Sequence, residues 1–136
     1  MKTNLRIPGP TPLPARVRKA LGRQMINHRG SEFADLLIDT TKKLKTIFQT
    51  KNDILIFPAA GTGAMEAAIV NLFSAGERVL SISIGTFGNR FAEIGKIFGL
   101  EVVSLQFPLG SAVDQDKIIK ILNKEKNIKG VLLTHN

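Results

Sequence analysis

The sequence predicts an α/β fold in which a mostly parallel sheet carries helices on both faces. Three observations point to it. Four short apolar runs, Ile54-Leu55-Ile56-Phe57, Val79-Leu80-Ser81-Ile82-Ser83-Ile84, Val102-Val103-Ser104-Leu105 and Val131-Leu132-Leu133-Thr134, begin 25, 23 and 29 residues apart. Between them, from Ala64 to Phe73, Phe87 to Phe98 and Asp116 to Leu122, apolar residues recur three or four apart. Each of these segments follows a turn containing Gly or Asp. Strand, helix and strand at this interval form the βαβ unit, and continuous apolar strands suit a parallel sheet covered on both faces.

The residues ahead of this pattern differ in texture. Pro8-Gly9-Pro10-Thr11-Pro12-Leu13-Pro14 holds four of the six prolines, which excludes helix and makes a rigid lead-in. Pro14 to about Met25 reads as a short helix, with Val17 and Leu21 four apart. A longer one follows from Ser31, taken as N-cap, to about Gln49, because Phe33, Leu36, Leu37, Leu44, Ile47 and Phe48 recur at helical spacing and the lysines fall late. The expected organisation is therefore residues 1–25 as arm and short helix, and residues 26–136 as the α/β region.

Composition narrows the function classes. The chain has 136 residues, 43% of them hydrophobic, enough for a packed core. With no cysteine there is no disulfide scaffold and no thiolate metal site, and the two histidines, His28 and His135, are far apart, so no metal site is expected. No apolar run suits a signal peptide or a membrane span, and a soluble cytoplasmic protein is the expectation. The formal charge of +8 sits wholly in residues 1 to 51, which hold 11 Lys/Arg against 3 Asp/Glu; the remainder balances at 8 and 8. Acids are interleaved with the bases there and aromatic–basic alternation is absent, so a solvated helical face is expected rather than a nucleic-acid surface.

Two junctions carry the candidate chemistry. In parallel sheets, ligands collect at the carboxyl ends of strands, where helix N-termini present free N–H groups. The first junction reads Pro58-Ala59-Ala60-Gly61-Thr62-Gly63-Ala64. Its glycines allow close backbone approach to an anion and Thr62 adds a hydroxyl, so it reads either as a phosphate cradle or as a structural tight turn. It is neither the dinucleotide fingerprint, since Glu66 stands at the third glycine position, nor a Walker loop. The second junction, Ser83-Ile84-Gly85-Thr86-Phe87-Gly88-Asn89-Arg90, brings Phe87 to the same edge, where its ring serves either to lie against an aromatic ligand or as a core aromatic.

Taken in order, these pieces resemble the class V pyridoxal-phosphate-dependent aminotransferases, in particular the alanine–glyoxylate, serine–glyoxylate and serine–pyruvate group. The residues carrying the resemblance are Pro8-Gly9-Pro10-Thr11 with Pro14, His28-Arg29 with Glu32-Phe33, Phe48-Gln49-Thr50, Gly61 to Ala68 with Asn71-Leu72, Gly85 to Arg90, and Thr134-His135-Asn136. They run nearly the whole length of the chain. The resemblance implies an incomplete N-terminal part of the type I large domain of these enzymes. It implies pyridoxal 5′-phosphate as cofactor, its phosphate held by Ala60, Gly61, Thr62 and Gly63 and its ring stacked on Phe87, with Pro8 and Gly9 near the substrate. His28, Arg29 and His135 are expected to be structural.

The same resemblance places the Schiff-base lysine beyond Asn136, so no catalytic residue is expected in this chain and the chain alone is expected to be inactive. The parent reaction it implies passes the amino group of alanine or serine to glyoxylate or pyruvate, in a homodimer acting on small amino and 2-oxo acids without nucleic acid or membrane. A desulfurase or lyase of the same fold, and a non-enzymatic phosphate- or nucleic-acid-binding module, are the alternatives. Strand order in these enzymes separates the first strand from the next two, so a contiguous sheet is not expected from these four strands, and exposed edges with marginal stability are.

Overall fold

The computed structural model describes Leu5 and residues 7 to 135. They form two compact units, Met1–Ile56 and Phe57–Asn136.

The first unit holds two helices. In α1, Ala15–Leu21, the Pro14 carbonyl accepts from the N–H groups of Val17 and Arg18 at 3.0 and 3.1 Å, a start at which proline loses no helical hydrogen bond. It ends at Gly22, earlier than the expected Met25, where glycine's backbone entropy disfavours continuation. The second helix, α2, spans Ser31–Ile47. Its N-cap is Gly30 and not Ser31: Gly30 is extended, its carbonyl takes the Ala34 N–H at 3.2 Å, and no side chain caps the end. At the other end Gln49 adopts φ +49° and the Thr50 N–H returns to the Lys45 carbonyl at 3.0 Å, so the helix closes at Ile47, before Gln49. Neither helix buries a residue, and Leu36, Leu37 and Ile47 along α2 are exposed.

The second unit has the expected alternation. It runs α3 (Gly61–Leu72), β1 (Arg78–Ser83), α4 (Thr86–Ile97), β2 (Glu101–Gln106), α5 (Gln115–Lys124) and β3 (Ile128–Leu133). The three strands are parallel in the order β2-β1-β3, with Leu80 facing Val103 on one side and Val131 on the other. Central β1 is buried from Val79 to Ser83, with Val79, Leu80 and Ile82 apolar and the small Ser81 and Ser83 buried beside them. The core joins Ile69 of α3, Val79, Ile94 of α4, Leu100 and Leu132.

Two expectations are corrected. Ile54 to Phe57 forms no strand; Leu55, Ile56 and Phe57 are exposed, because an extended segment with no neighbour has no ladder to complete. The other three strands nevertheless form one contiguous sheet. β2 and β3 each pair with the central β1, so the gap anticipated within the sheet leaves only Ile54 to Phe57 outside it.

Local chemistry sets the helix ends. After α4, Gly99 takes φ +83°, its N–H bonds the Lys96 carbonyl at 3.0 Å and the Leu100 N–H reaches back to Gly95 at 2.9 Å, a Schellman closure that buries Leu100. At α5 the Asp114 carboxylate accepts the Lys117 N–H at 3.2 Å. Asp114→Ala is expected to cost about 1 kcal/mol. Faster amide hydrogen exchange confined to the first turn of α5 checks it, and unchanged exchange at Lys117 refutes it.

Candidate functional site

Because the strands are parallel, with a single register shift between Arg78 and Val79 in the β1–β3 pairing, Ser83, Gln106 and Leu133 end at one edge of the sheet. The helix α4 starts from that edge, two residues after β1. The N-terminus of α3 lies beside it: Arg90 Nη1, in the second turn of α4, donates to Thr62 Oγ1 at 3.4 Å. The two junctions singled out in the sequence thus meet in the second unit.

At the first junction no side chain caps α3, so its leading N–H groups have no partner within the helix. Ala60 is the extended N-cap residue, and Gly63 turns its own N–H back to the Ala60 carbonyl at 2.9 Å. The two glycines differ in what they do. A Cβ on Gly61 would meet nothing within 4 Å, so the backbone there faces open space. A Cβ on Gly63 would stand 2.7 Å from the Ala59 Cβ, so Gly63 is needed for the turn to close on itself.

At the second junction the Ser83 hydroxyl organises the turn. It accepts from the Gly85 N–H at 3.2 Å and lies 2.9 Å from the Gly85 carbonyl and 2.7 Å from Asn89 Oδ1. One hydroxyl proton serves a single acceptor, so all these contacts are satisfied when the Asn89 amide is turned to donate through Nδ2. Gly88 lets α4 sit directly on Ser83: a Cβ there would fall 2.6 Å from the hydroxyl oxygen and 2.9 Å from Cα. Phe87 is half-buried, and the Arg90 guanidinium carbon lies 5.7 Å from its ring centroid.

The structure brings Ala60, Gly61, Thr62, Gly63 and Phe87 together at one end of the second unit. Pro8 and Gly9 belong to the first unit, where both are exposed. His28 and His135 are exposed, and the Arg29 N–H is held by Asn27 Oδ1 at 3.0 Å. Two further residues stand at this end of the unit. Arg90, three positions after Phe87, shares its helix face, and that spacing is the sequence signal for it. Thr134, just after β3 at the same sheet edge, has a buried hydroxyl without a partner; a threonine ending a strand gives no signal of this.

An open Gly61 backbone, an uncapped helix start with a hydroxyl at its second residue, and a half-exposed ring fit a phosphate-bearing aromatic cofactor. Among the described residues no three His, Cys, Asp or Glu side chains are grouped to hold a metal ion, and no helix is long and apolar enough to cross a membrane.

No family model matches the chain. It is 42% identical over 99% of its length to the soluble hydrogenase 42 kDa subunit of Anabaena cylindrica, covering 36% of that protein. It is 40% identical over its full length to an uncharacterized aminotransferase of Methanocaldococcus jannaschii, covering 35% of it. Among solved structures, the subgroup IV aspartate aminotransferase of Thermus thermophilus superposes with a TM-score of 0.80 at 33% identity, over 91% of this chain and 34% of that one. Further relatives are named L-aspartate–glyoxylate and serine–glyoxylate aminotransferase. The chain spans about a third of the length of the relatives it matches.

Proposed function

We propose that this chain, which resembles class V aminotransferases from end to end, is the cofactor-cradling N-terminal third of a pyridoxal-phosphate-dependent transaminase. The observation that carries the reading is the pairing of the open, uncapped start of α3 with the half-buried ring of Phe87, joined through Arg90. The N–H groups of Gly61 and Thr62 and the Thr62 hydroxyl would hold the phosphate. Gly63 keeps the turn tight beneath them. Phe87 would lie against the pyridine ring, and Ala60 sets the extended entry to the helix. When bound, the cofactor supplies an electron sink for cleavage of bonds at a substrate α-carbon.

The substrates in this reading are alanine or serine as amino donor and glyoxylate or pyruvate as acceptor, giving glycine or alanine. Pro8 and Gly9 approach the substrate, the complete protein is a homodimer, and its setting is the cytoplasm. Relatives named as glyoxylate aminotransferases support the acceptor; the donor rests on the motif resemblance. The two relatives named as hydrogenase subunits share this same segment, and it holds none of the cysteines that ligate iron–sulfur clusters.

Pyridoxamine 5′-phosphate is the suitable probe, because it lacks the aldehyde that would label surface lysines. In a titration of the 136-residue chain, amide shifts are expected at Gly61 and Thr62 and ring-proton shifts at Phe87. An equal response to pyridoxamine without its phosphate, or shifts confined to the lysines of residues 1 to 51, would overturn the cradle. Gly61→Leu is expected to weaken binding at least about tenfold, the equivalent of 1.4 kcal/mol, while the unfolding free energy from urea titration holds within about 0.5 kcal/mol, since its Cβ enters open space. Transfer of label from [15N]alanine or [15N]serine to glyoxylate is expected to be absent for the chain alone.

A further inference from the structure

We infer that Arg90 is a positioning residue that couples the two halves of the proposed site, fixing the direction of the Thr62 hydroxyl and the pose of the Phe87 ring. The inference rests on the reading of this end of the second unit as a phosphate and ring site. Its own observations are separate. Arg90 reaches across from α4 to α3, bonding Thr62 Oγ1 at 3.4 Å, and its guanidinium carbon stands 5.7 Å from the centroid of Phe87, one turn earlier on its own helix.

The chemistry follows from donor counts. A guanidinium only donates, so Thr62 Oγ1 must accept from it, and the hydroxyl proton is left directed elsewhere. A threonine held in that way is a committed donor, the state an anion at the start of α3 requires, whereas a free threonine hydroxyl rotates between donor and acceptor roles. Among the described residues Arg90 makes no salt bridge with a carboxylate, and its charge adds to the positive end of α3. Its planar group also lies against Phe87, and a guanidinium on an aromatic face restricts the ring's rotation. One side chain therefore sets both the hydroxyl and the ring, and it does so from a helix anchored by Gly88 on β1.

Lysine would keep the charge but lose the fork, and methionine would keep the length but lose both. The test is pyridoxamine 5′-phosphate titration of the wild-type chain, Arg90→Lys and Arg90→Met, with urea unfolding of each and ring-proton spectra of Phe87 before ligand is added. Arg90→Met is expected to bind about fivefold to tenfold more weakly, with Arg90→Lys between it and wild type, at an unchanged urea midpoint. The ligand-free Phe87 ring signals and the Thr62 amide are expected to shift in both variants, with the rest of the second unit unmoved. Wild-type binding with an Arg90→Met variant of equal affinity and unaltered ring signals would overturn the coupling and leave the cradle standing. Absence of any site-specific response in the wild type would overturn the cradle itself and the coupling with it. A fall in midpoint with shifts spread over the whole unit would assign Arg90 to general stability and overturn the positioning role.

Discussion

Gly88→Ala is expected to destabilise the Phe57–Asn136 unit by about 2 to 3 kcal/mol. The added Cβ would lie 2.6 Å from Ser83 Oγ, 2.8 Å from its Cβ and 2.9 Å from its Cα, and the last of these is backbone in the central strand, which cannot swing aside. Overpacking a well-filled interior typically costs 1 to 3 kcal/mol, and the upper part of that range applies when the obstructing atom belongs to the main chain. The strain also falls on the Ser83 hydroxyl that joins Gly85 and Asn89, so α4 would lift at the end nearest the candidate site. Urea unfolding followed by circular dichroism gives the number. An unfolding free energy within about 0.5 kcal/mol of wild type would show that α4 does not dock through Gly88, and the placement of Phe87 and Arg90 by that docking would fall with it.

Ile69→Ala is expected to cost about 3 kcal/mol, within the 2 to 5 kcal/mol typical of truncating a buried branched side chain to alanine. Ile69 is 1% exposed and is the one residue of α3 that is buried, packed with Val79, Ile94, Leu100 and Leu132. It is the anchor that fixes α3 against α4 and the sheet, with Met65 and Phe73 as half-buried support. The loss is expected to appear twice: as a lower urea midpoint, and as weaker pyridoxamine 5′-phosphate binding, because α3 presents the cradle. Ile69→Val removes a single methylene and is expected to cost about 1 kcal/mol with binding retained. A midpoint for Ile69→Ala equal to that of Ile69→Val would mean that this part of the core collapses freely and does not hold the helix.

The two variants act on the site from opposite sides. Gly88→Ala moves the helix bearing the ring and the guanidinium, and Ile69→Ala loosens the helix bearing the phosphate cradle. Both act through packing in the core, Gly88 from beside Phe87 and Ile69 from two turns beyond the cradle, which separates them from Gly61→Leu, expected to change binding without changing stability.

The alternation of apolar runs and helical periodicity located three strands and three helices of the second unit to within a few residues. Those elements are legible because their own residues dictate them: a buried strand is built of apolar and small residues without charge, and a helix on a sheet must repeat its apolar positions at three and four. Ile54-Leu55-Ile56-Phe57 has the same composition and forms no strand, since pairing depends on a neighbour that composition does not reveal. Ser31 has the chemistry of an N-cap but stands one residue inside the helix, because the extended backbone falls at Gly30. The cradle and the ring were legible as motifs; Arg90 and Thr134 were not, since one acts through a partner 28 positions earlier in the chain and the other is identified only by the absence of a partner for its hydroxyl.

By itself the sequence determined the α/β class, the positions of most elements, the confinement of the positive charge to residues 1 to 51, and the two glycine-bearing junctions with their resemblance to an aminotransferase. These depend on residue type and on spacing along the chain, which are local properties. Only the tertiary structure decided the strand order β2-β1-β3, the exclusion of Ile54 to Phe57, the division of labour between Gly61 and Gly63, and the bridge from Arg90 to Thr62 and Phe87. Each of these turns on which atoms lie within a few ångströms of one another across gaps in the chain, a matter of close packing that no single stretch of residues encodes.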